Sequence, residues 1–456
     1  MKVSAFNFRS LFSRFAVTAS KPTPPPPQTT TATAAASATT TNPPIQTNTN
    51  PTGTTTTKTT TKPKTKSLLS IIKLFSSHRP KRVHYRRYIT LNMNTNLPRI
   101  FITADTNEFD PSELAQWQAE GYEVVYIPRA DNQVFELLGD ALEGSEKYCI
   151  IAYGTAATLA LQYALYPVGN LVALIAYYPT GLPSTFPSEP YPERLRRILI
   201  QIPDGQTFNP DVTKHTQCLK FQLYQNAKPG FAEKLTANYN PIAAGLAHSR
   251  TLAVVRDTLG PELDLEEIWG EHLLAAFVSR NANKTLDSMV KEPYVNHVPT
   301  LVGGSGYDEL HDFYHNYFIP TNPPSLSLQQ ISRTVGSDRI VDEMICRFKH
   351  TTEMIWMLPG VKPTGRRVEI PIVIIACIKA KKVYAENVYW DQASVLKQIG
   401  VVDFTGLPVS GPESAWKVED KDSVPANILL GGGELQEPLT NDESATVTEG
   451  TENNTK

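Results

Sequence analysis

Three carboxylates stand where a strongly apolar sequence has little reason to put them. Glu386 and Asp391 lie in the β-branched and aromatic run VYAENVYWDQ (383–392), and Asp342 lies in RIVDEMICRF (339–348). A carboxylate among buried strand residues needs a partner or a chemical task. Burial in an apolar pocket raises its pKa toward neutrality, which suits a base that removes a proton beside a carbonyl. His297, in YVNH (294–297), is a second proton-transfer group. Alternation limits which groups can act together. Glu386 shares a strand face with Tyr384, Val388 and Trp390, whereas Asn387 and Tyr389 share the other, so only one set can line a cavity. The company of Trp390 favours Glu386 inward. Asp342 shares its face with Met344 and Cys346; turned inward it could pair with His297, and turned outward it and Glu343 are solvated charges. Asp391 stands directly before the helical stretch 392–399, where a carboxylate also serves as an N-cap. Tyr294, Phe313, Tyr314, Tyr317, Trp356 and Trp390 are candidate pocket walls, with ordinary core packing as the competing use. His311 and His315 have a metal-capable spacing but no third ligand in a matching motif, so no metal is expected.

The elements that must hold these groups follow from periodicity. The stretch 365–400 reads as two long strands joined by a tight turn at 379–382 and followed by a short helix. Ahead of it, 327–335, 339–350 and 352–358 read as strands, the last two as a hairpin. A short strand at 294–298 is broken by Gly303-Gly304-Ser305-Gly306 and followed by a helix at 308–318. Helices are expected at 242–258, 264–279 and 284–290, the first capped by Asn240 before Pro241. Helices packed on one face of a curved sheet make a cone with an internal cavity. The region 99–231 differs. Strands at 100–104, 122–127, 147–154, 171–178 and 196–202 alternate with helices at 111–120, 134–142 and 155–165, which implies βαβ units and a mostly parallel sheet.

Charge narrows the function classes. The 456 residues carry a formal charge of −2, unevenly spread: 1–104 holds fifteen Lys and Arg with no Asp or Glu, leaving 28 basic against 45 acidic residues beyond. An acidic folded region argues against nucleic acid as a partner. Cys149, Cys218, Cys346 and Cys377 lie far apart without CxxC spacing, as suits a reducing compartment. No apolar run reaches the ~18 residues of a membrane span. Residues 1–20 set Arg9 and Arg14 among Phe6, Phe8, Leu11, Phe12 and Phe15, the composition of a mitochondrial presequence or of a merely disordered basic terminus. A start at Met93 would give a cytoplasmic form. The divisions are 1–92, a basic Thr/Pro-rich tail with a candidate targeting segment; 93–240, an α/β domain; 241–290, a helical connection and the first helices of a second domain; 291–417, that α+β domain; and 418–456, an acidic disordered tail.

In α/β-hydrolases a sharp strand-to-helix turn carries the nucleophile between small residues. Here that frame reads Gly154-Thr155-Ala156-Ala157-Thr158, with Ala156 at the nucleophile position; Thr155 is a hydroxyl beside it but off the elbow position. The stretch FQLYQNAKPGFA (221–232) resembles the end of the dienelactone hydrolase pattern, with Pro229 where the catalytic His would stand. Over 99–235 the chain therefore resembles a dienelactone hydrolase whose triad is degenerate. The later segments YVNH (294–297), LPG (358–360), PTG (363–365) and WD (390–391) with LKQIG (396–400) resemble the SnoaL-like polyketide cyclase branch of the nuclear transport factor two-like superfamily. The two-part arrangement is similar to fungal proteins labelled carboxymethylenebutenolidase or dienelactone hydrolase. The resemblance implies an α/β domain followed by a cone-shaped α+β domain, and chemistry without metal or organic cofactor. It implies roles for Asp391 as the pocket group that takes a proton beside a carbonyl and for His297 as a stabiliser of the resulting enolate; Glu386 has the physical argument and no motif behind it. The expected function is acid–base chemistry of cyclase, isomerase or hydratase type on a small carbonyl compound. A non-enzymatic ligand-binding scaffold, with homodimerisation through the second domain, and an ester hydrolase, as the family label implies, are the alternatives.

Overall fold

The computed structural model describes residues 97–141, 147–166, 170–183, 195, 197–206 and 218–431. The segment 1–92, Met93 and the tail beyond 431 lie outside the described residues. The first half runs β1 (Arg99–Ala104), α1 (Pro111–Ala119), β2 (Glu123–Pro128), α2 (Asn132–Ala141), β3 (Tyr148–Tyr153), α3 (Gly154–Tyr163), β4 (Leu171–Tyr177), β5 (Arg197–Pro203) and β6 (Leu219–Tyr224). All six strands are parallel, in the order β2-β1-β3-β4-β5-β6. Strands β1, β3 and β4 are buried along their whole length. That is why they read as unbroken apolar runs: helices cover both sheet faces. One face packs Phe135, Leu138, Ala157, Ala160 and Leu161 of α2 and α3. The other packs Trp117 of α1 together with Ala243, Ala247, Leu252 and Val255 of α4 (Pro241–Leu259). Helix α4 thus belongs to the first half's core. Its start is set by Asn240, whose side chain accepts from the amides of Ile242 and Ala243.

The second half comprises α5 (Leu265–Leu273), running on as a π-helical turn over Leu274–Val278, then α6 (Ala282–Asp287), β7 (Met289–His297), β8 (Val302–Ser305) and α7 (Tyr307–Asp312), which continues as a π-helical turn over Phe313–Phe318. There follow β9 (Ser327–Val335), β10 (Arg339–Lys349), β11 (Arg367–Lys379), β12 (Lys382–Trp390), α8 (Gln392–Ile399) and α9 (Glu413–Glu419). The sheet order is β8-β7-β12-β11-β10-β9. Every pairing is antiparallel except β12 with β7. Helices α5 to α8 pack on one face, around Trp269, Leu273, Leu310, Phe313, Met344, Trp356 and Ile372, whereas α9 bonds Glu369 on the other through Trp416.

Several expectations are corrected. The stretch 352–358 is no strand: Met354, Trp356, Met357 and Leu358 enter the core as a turn, with the amides of Met357 and Leu358 bonded to the Met354 carbonyl. Strand β10 already pairs with β9 and β11, which leaves that segment no open edge. The expected helix at 284–290 ends at Asp287, and β7 begins at Met289. Gly303-Gly304 does not end the sheet. It sits inside β8, where a Cβ on Gly303 would stand 2.0 Å from the Val295 carbonyl oxygen. Part of the stretch expected as an acidic disordered tail from 418 has regular structure, since α9 reaches Glu419 and a short 3-10 turn forms at Ile428–Gly431. Strand β6 lacks the unbroken apolar run of its neighbours: Lys220 and Gln222 interrupt it, and only Tyr224 is fully buried.

The two halves are joined by polar contacts around the β11–β12 turn. Buried Glu120, at the end of α1, accepts from the Ala380 amide (3.1 Å) and from Arg256 of α4 (2.6 Å). Arg256 also donates to the Ser337 carbonyl, and Ser249 bonds Asp338.

Candidate functional site

A cavity lies between the second half's sheet and its helices. His272, Ala276, Phe277, His297, Tyr314, Phe318, Trp356 and Glu386 line it, with Leu326, Leu328, Ile372, Ile374 and Val388. The space between these side chains is about 440 Å³ with its open mouth counted, but the free room inside is only about 20 Å³. That is room for little more than one water.

Glu386 enters the cavity from β12 and is 6 % exposed. Val388 and Trp390 follow it on the inward face. Tyr384 does not: the register slips between Val383 and Ala385, so Val383 continues the buried face. The Tyr384 ring instead lies under the Lys379 ammonium at 4.5 Å. Simple alternation holds only up to that irregularity.

His297 enters from β7. Its Nδ1 donates to the Val302 carbonyl (3.0 Å), so the unprotonated Nε2 is the ring's second nitrogen. Its ring packs among Phe313 (5.4 Å), Phe318 (5.8 Å), Trp356 (5.0 Å) and Trp390 (6.0 Å). Burial pushes its pKa down to about 4, against the opposing pull of the Glu386 charge and the Val302 hydrogen bond. It is therefore neutral at pH 7. Burial, aided by Glu386, pushes the Tyr314 hydroxyl well above its ordinary value, so it is a donor.

His272, from α5, is the group the sequence analysis did not single out. Its Nε2 lies 3.6 Å from a Glu386 oxygen, its Nδ1 lies 2.8 Å from the Ser288 hydroxyl, and Trp269 stacks on its face at 5.2 Å. The signal was present: His272 follows Trp269 by three and precedes Leu273 on the apolar stripe of a capped helix. Glu386, the Tyr314 hydroxyl and His297 Nε2 make no hydrogen bond among the described residues. All three converge on the cavity.

Most of the remaining candidates are placed elsewhere. Asp342 is fully buried, but it takes two hydrogen bonds from Arg333 (2.6 and 2.7 Å) and one from Trp269 Nε1 (2.7 Å), not one from His297. Asp391 is exposed and caps α8, accepting from the Ala393 amide (3.0 Å) and the Ser394 hydroxyl (2.9 Å). Trp356 lines the cavity with Trp390 packed on it, and Phe313 packs on His297. Tyr294 and Tyr317 are 42 % and 41 % exposed and stand outside. The His311 and His315 rings stack at 5.6 Å; among the described residues no group of three or more His, Cys, Asp or Glu side chains is arranged to hold a metal.

In the first half, Ala156 is buried in the opening turn of α3 and Pro229 is exposed in a turn, its carbonyl taking Asn238 Nδ2 at 2.9 Å. Asp105, just after β1, accepts from the amides of Thr155 (2.8 Å) and Ala156 (3.1 Å). Gly154 has φ 62°, and a Cβ there would meet the Asp105 carboxylate at 2.4 Å. The helix N-terminus, the natural seat for an anion, is occupied by the chain's own carboxylate.

No protein-family model matches the chain, and no curated protein matches it. Solved structures similar to it include nuclear transport factor two-like proteins. An NTF2-like protein of unknown function from Burkholderia pseudomallei is 19% identical, covering 29% of this chain and 95% of its own, with TM-score 0.24. A protein designated a SnoaL-like polyketide cyclase, from Jannaschia sp. CCS1, is 16% identical over 32% of this chain and 100% of its own, with TM-score 0.25. A protein of ketosteroid isomerase-like fold from Catenulispora acidiphila, in complex with trimethylamine, is 12% identical over 29% of this chain and 92% of its own, with TM-score 0.24.

Proposed function

We propose that the second half performs cofactor-free acid–base chemistry on a small, largely apolar carbonyl compound. One observation carries this reading: a buried carboxylate, Glu386, meets His272, neutral His297 and the Tyr314 hydroxyl across an otherwise apolar cavity. In such a site Glu386 removes a proton beside the carbonyl, and a donor on the opposite wall stabilises the oxygen that gains charge. Entry requires side chains at the cavity rim to move, since the free room is about 20 Å³. Asp391 is left out of this mechanism, being engaged as a helix cap.

The test is hydrogen–deuterium exchange at the α-carbon of small enolisable ketones in D2O, followed by NMR. The wild-type chain is expected to accelerate exchange. Glu386→Gln should lower that rate by about 100-fold or more while circular dichroism is unchanged. Wild-type-like exchange in the variant would remove Glu386 from the mechanism.

The first half is, on this proposal, a degenerate dienelactone-hydrolase relative acting as scaffold. What supports that is Ala156 at the position of a nucleophile and the Asp105 carboxylate at the adjoining helix N-terminus. A fluorophosphonate probe is expected to leave the chain unlabelled; labelling would restore the hydrolase reading. The narrow cavity favours a second reading, in which aromatic side chains fill the pocket and the domain is a scaffold. The half-buried outer sheet residues Val341, Val373 and Ile375 then offer a homodimer surface. That reading expects no ketone exchange, a dimer in sedimentation, and a Glu386→Leu variant at least as stable as the wild type.

A further inference from the structure

We propose that His272 and Glu386 hold a single proton between them, and that Ser288 makes this possible by fixing the His272 tautomer. The inference deepens the acid–base reading above and rests on it for its catalytic meaning. Its structural content rests on the hydrogen bonds of Ser288 and on the 3.6 Å approach of His272 Nε2 to Glu386.

The argument is a proton count. A serine hydroxyl has one hydrogen to donate. That of Ser288 goes to the Thr285 carbonyl at 2.6 Å, an acceptor that cannot donate in return. Toward His272 Nδ1, 2.8 Å away, Ser288 can then only accept, so Nδ1 carries a proton. In a neutral imidazole the other nitrogen is bare. That nitrogen, Nε2, faces a Glu386 oxygen at 3.6 Å. Two lone-pair centres cannot face each other in an apolar cavity without cost. One proton removes the conflict, as imidazolium beside carboxylate or as imidazole beside carboxylic acid.

The surroundings hold the ring in this orientation. Trp269 stacks on it with the planes 12° apart, and the indole N–H is anchored on Asp342, itself clamped by Arg333. The charged and titratable groups around the pair are these: His297 from β7, Tyr314 from the π-helical turn, and Asp342 with Arg333 from β10 and β9. Asp342 and Arg333 neutralise each other, and His297 donates away, to Val302.

The arrangement closes a cycle without a cofactor. Glu386, as carboxylate, takes the proton from the substrate carbon. His272 Nε2–H gives its proton to the substrate at another atom. The pair is left as carboxylic acid and neutral imidazole, still with one shared proton, which returns to Nε2 and restores the start. His272 is thus a catalytic residue, and Ser288 a positioning residue.

The experiment uses the full chain with ¹⁵N-labelled histidine, its ring nitrogens read by long-range ¹H–¹⁵N NMR at pH 7, and His272→Gln to assign the signal. Wild type should show Nδ1 of His272 protonated, with a large doubly protonated population. Glu386→Gln should reduce that population at least about tenfold, leaving the Nδ1–H tautomer, as expected when an opposite charge within 4 Å is removed. Ser288→Ala, a milder change at a half-buried position, should bring in the Nε2–H tautomer. A wild-type His272 that is neutral with its proton on Nε2, or a spectrum unmoved by both variants, would overturn the proposal. No substrate enters this measurement, so a failure to exchange ketone protons would refute the acid–base function without altering this result.

Discussion

Glu386 and Asp342, on the strands either side of β11, and Asp391, at the end of β12, are three acidic side chains whose surroundings give them three different chemistries. Asp342 is buried with Arg333 bonding both its oxygens, so its charge is spent on structure. Asp391 reaches solvent and its oxygens serve the start of α8. Glu386 is buried without a hydrogen bond among the described residues and with histidine at ion-pair distance. Only the last turns its acceptor capacity into the cavity. His297 gives this scale a pH prediction. Its folded pKa of about 4 lies below the ordinary value of 6.5, so the unfolded chain binds more protons between those values. Its contribution is complete above about pH 6.5 and is lost as the pH falls toward 4, ~3 kcal/mol in all. His248, also pushed down to about 4 by burial, acts in the same direction. Urea midpoints should fall across that window, and His297→Gln should flatten the fall.

At the scale of elements, the cap and the slip in register do the positioning. Asp391 and Ser394 begin α8, and Gly400 ends it at φ 68°. Asp391→Ala should therefore cost about 1 kcal/mol in thermal unfolding. It should leave ketone exchange unchanged; a collapse of exchange at intact stability would return Asp391 to the mechanism. The slip beside Ala385 is equally consequential. It turns Tyr384 outward, while Glu386, Val388 and Trp390 keep the cavity face.

Across the whole molecule, Glu120 and Arg256 tie the parallel sheet to the β11–β12 hairpin that carries Glu386. The pair is 2.6 Å apart, with side-chain exposures of 1% and 11%, and Glu120 also holds the turn amide of Ala380. Removing one partner leaves a buried charge alone, at a cost of about 3–5 kcal/mol. Glu120→Ala should split a single calorimetric transition into two, one for each sheet. A single transition at the wild-type temperature would show that the halves are coupled by other contacts.

Much of this architecture is local and so was legible in the chain itself. Unbroken apolar runs such as Tyr148–Tyr153 mark strands covered on both faces, and Asn240-Pro241 and Asp391 mark helix starts, because these signals depend on neighbours within a few residues. Glu386 was likewise legible as an out-of-place carboxylate. Tertiary structure alone decided what each group does. Asp342 meets Arg333 only because β9 and β10 pair in that register, and His272 reaches Glu386 from a helix 114 positions earlier in the numbering only because α5 folds across β12. Periodicity assigns a residue to a face. Burial, hydrogen-bond partners and proton position arise from what another element brings against that face, and this information is spread over distant parts of the chain.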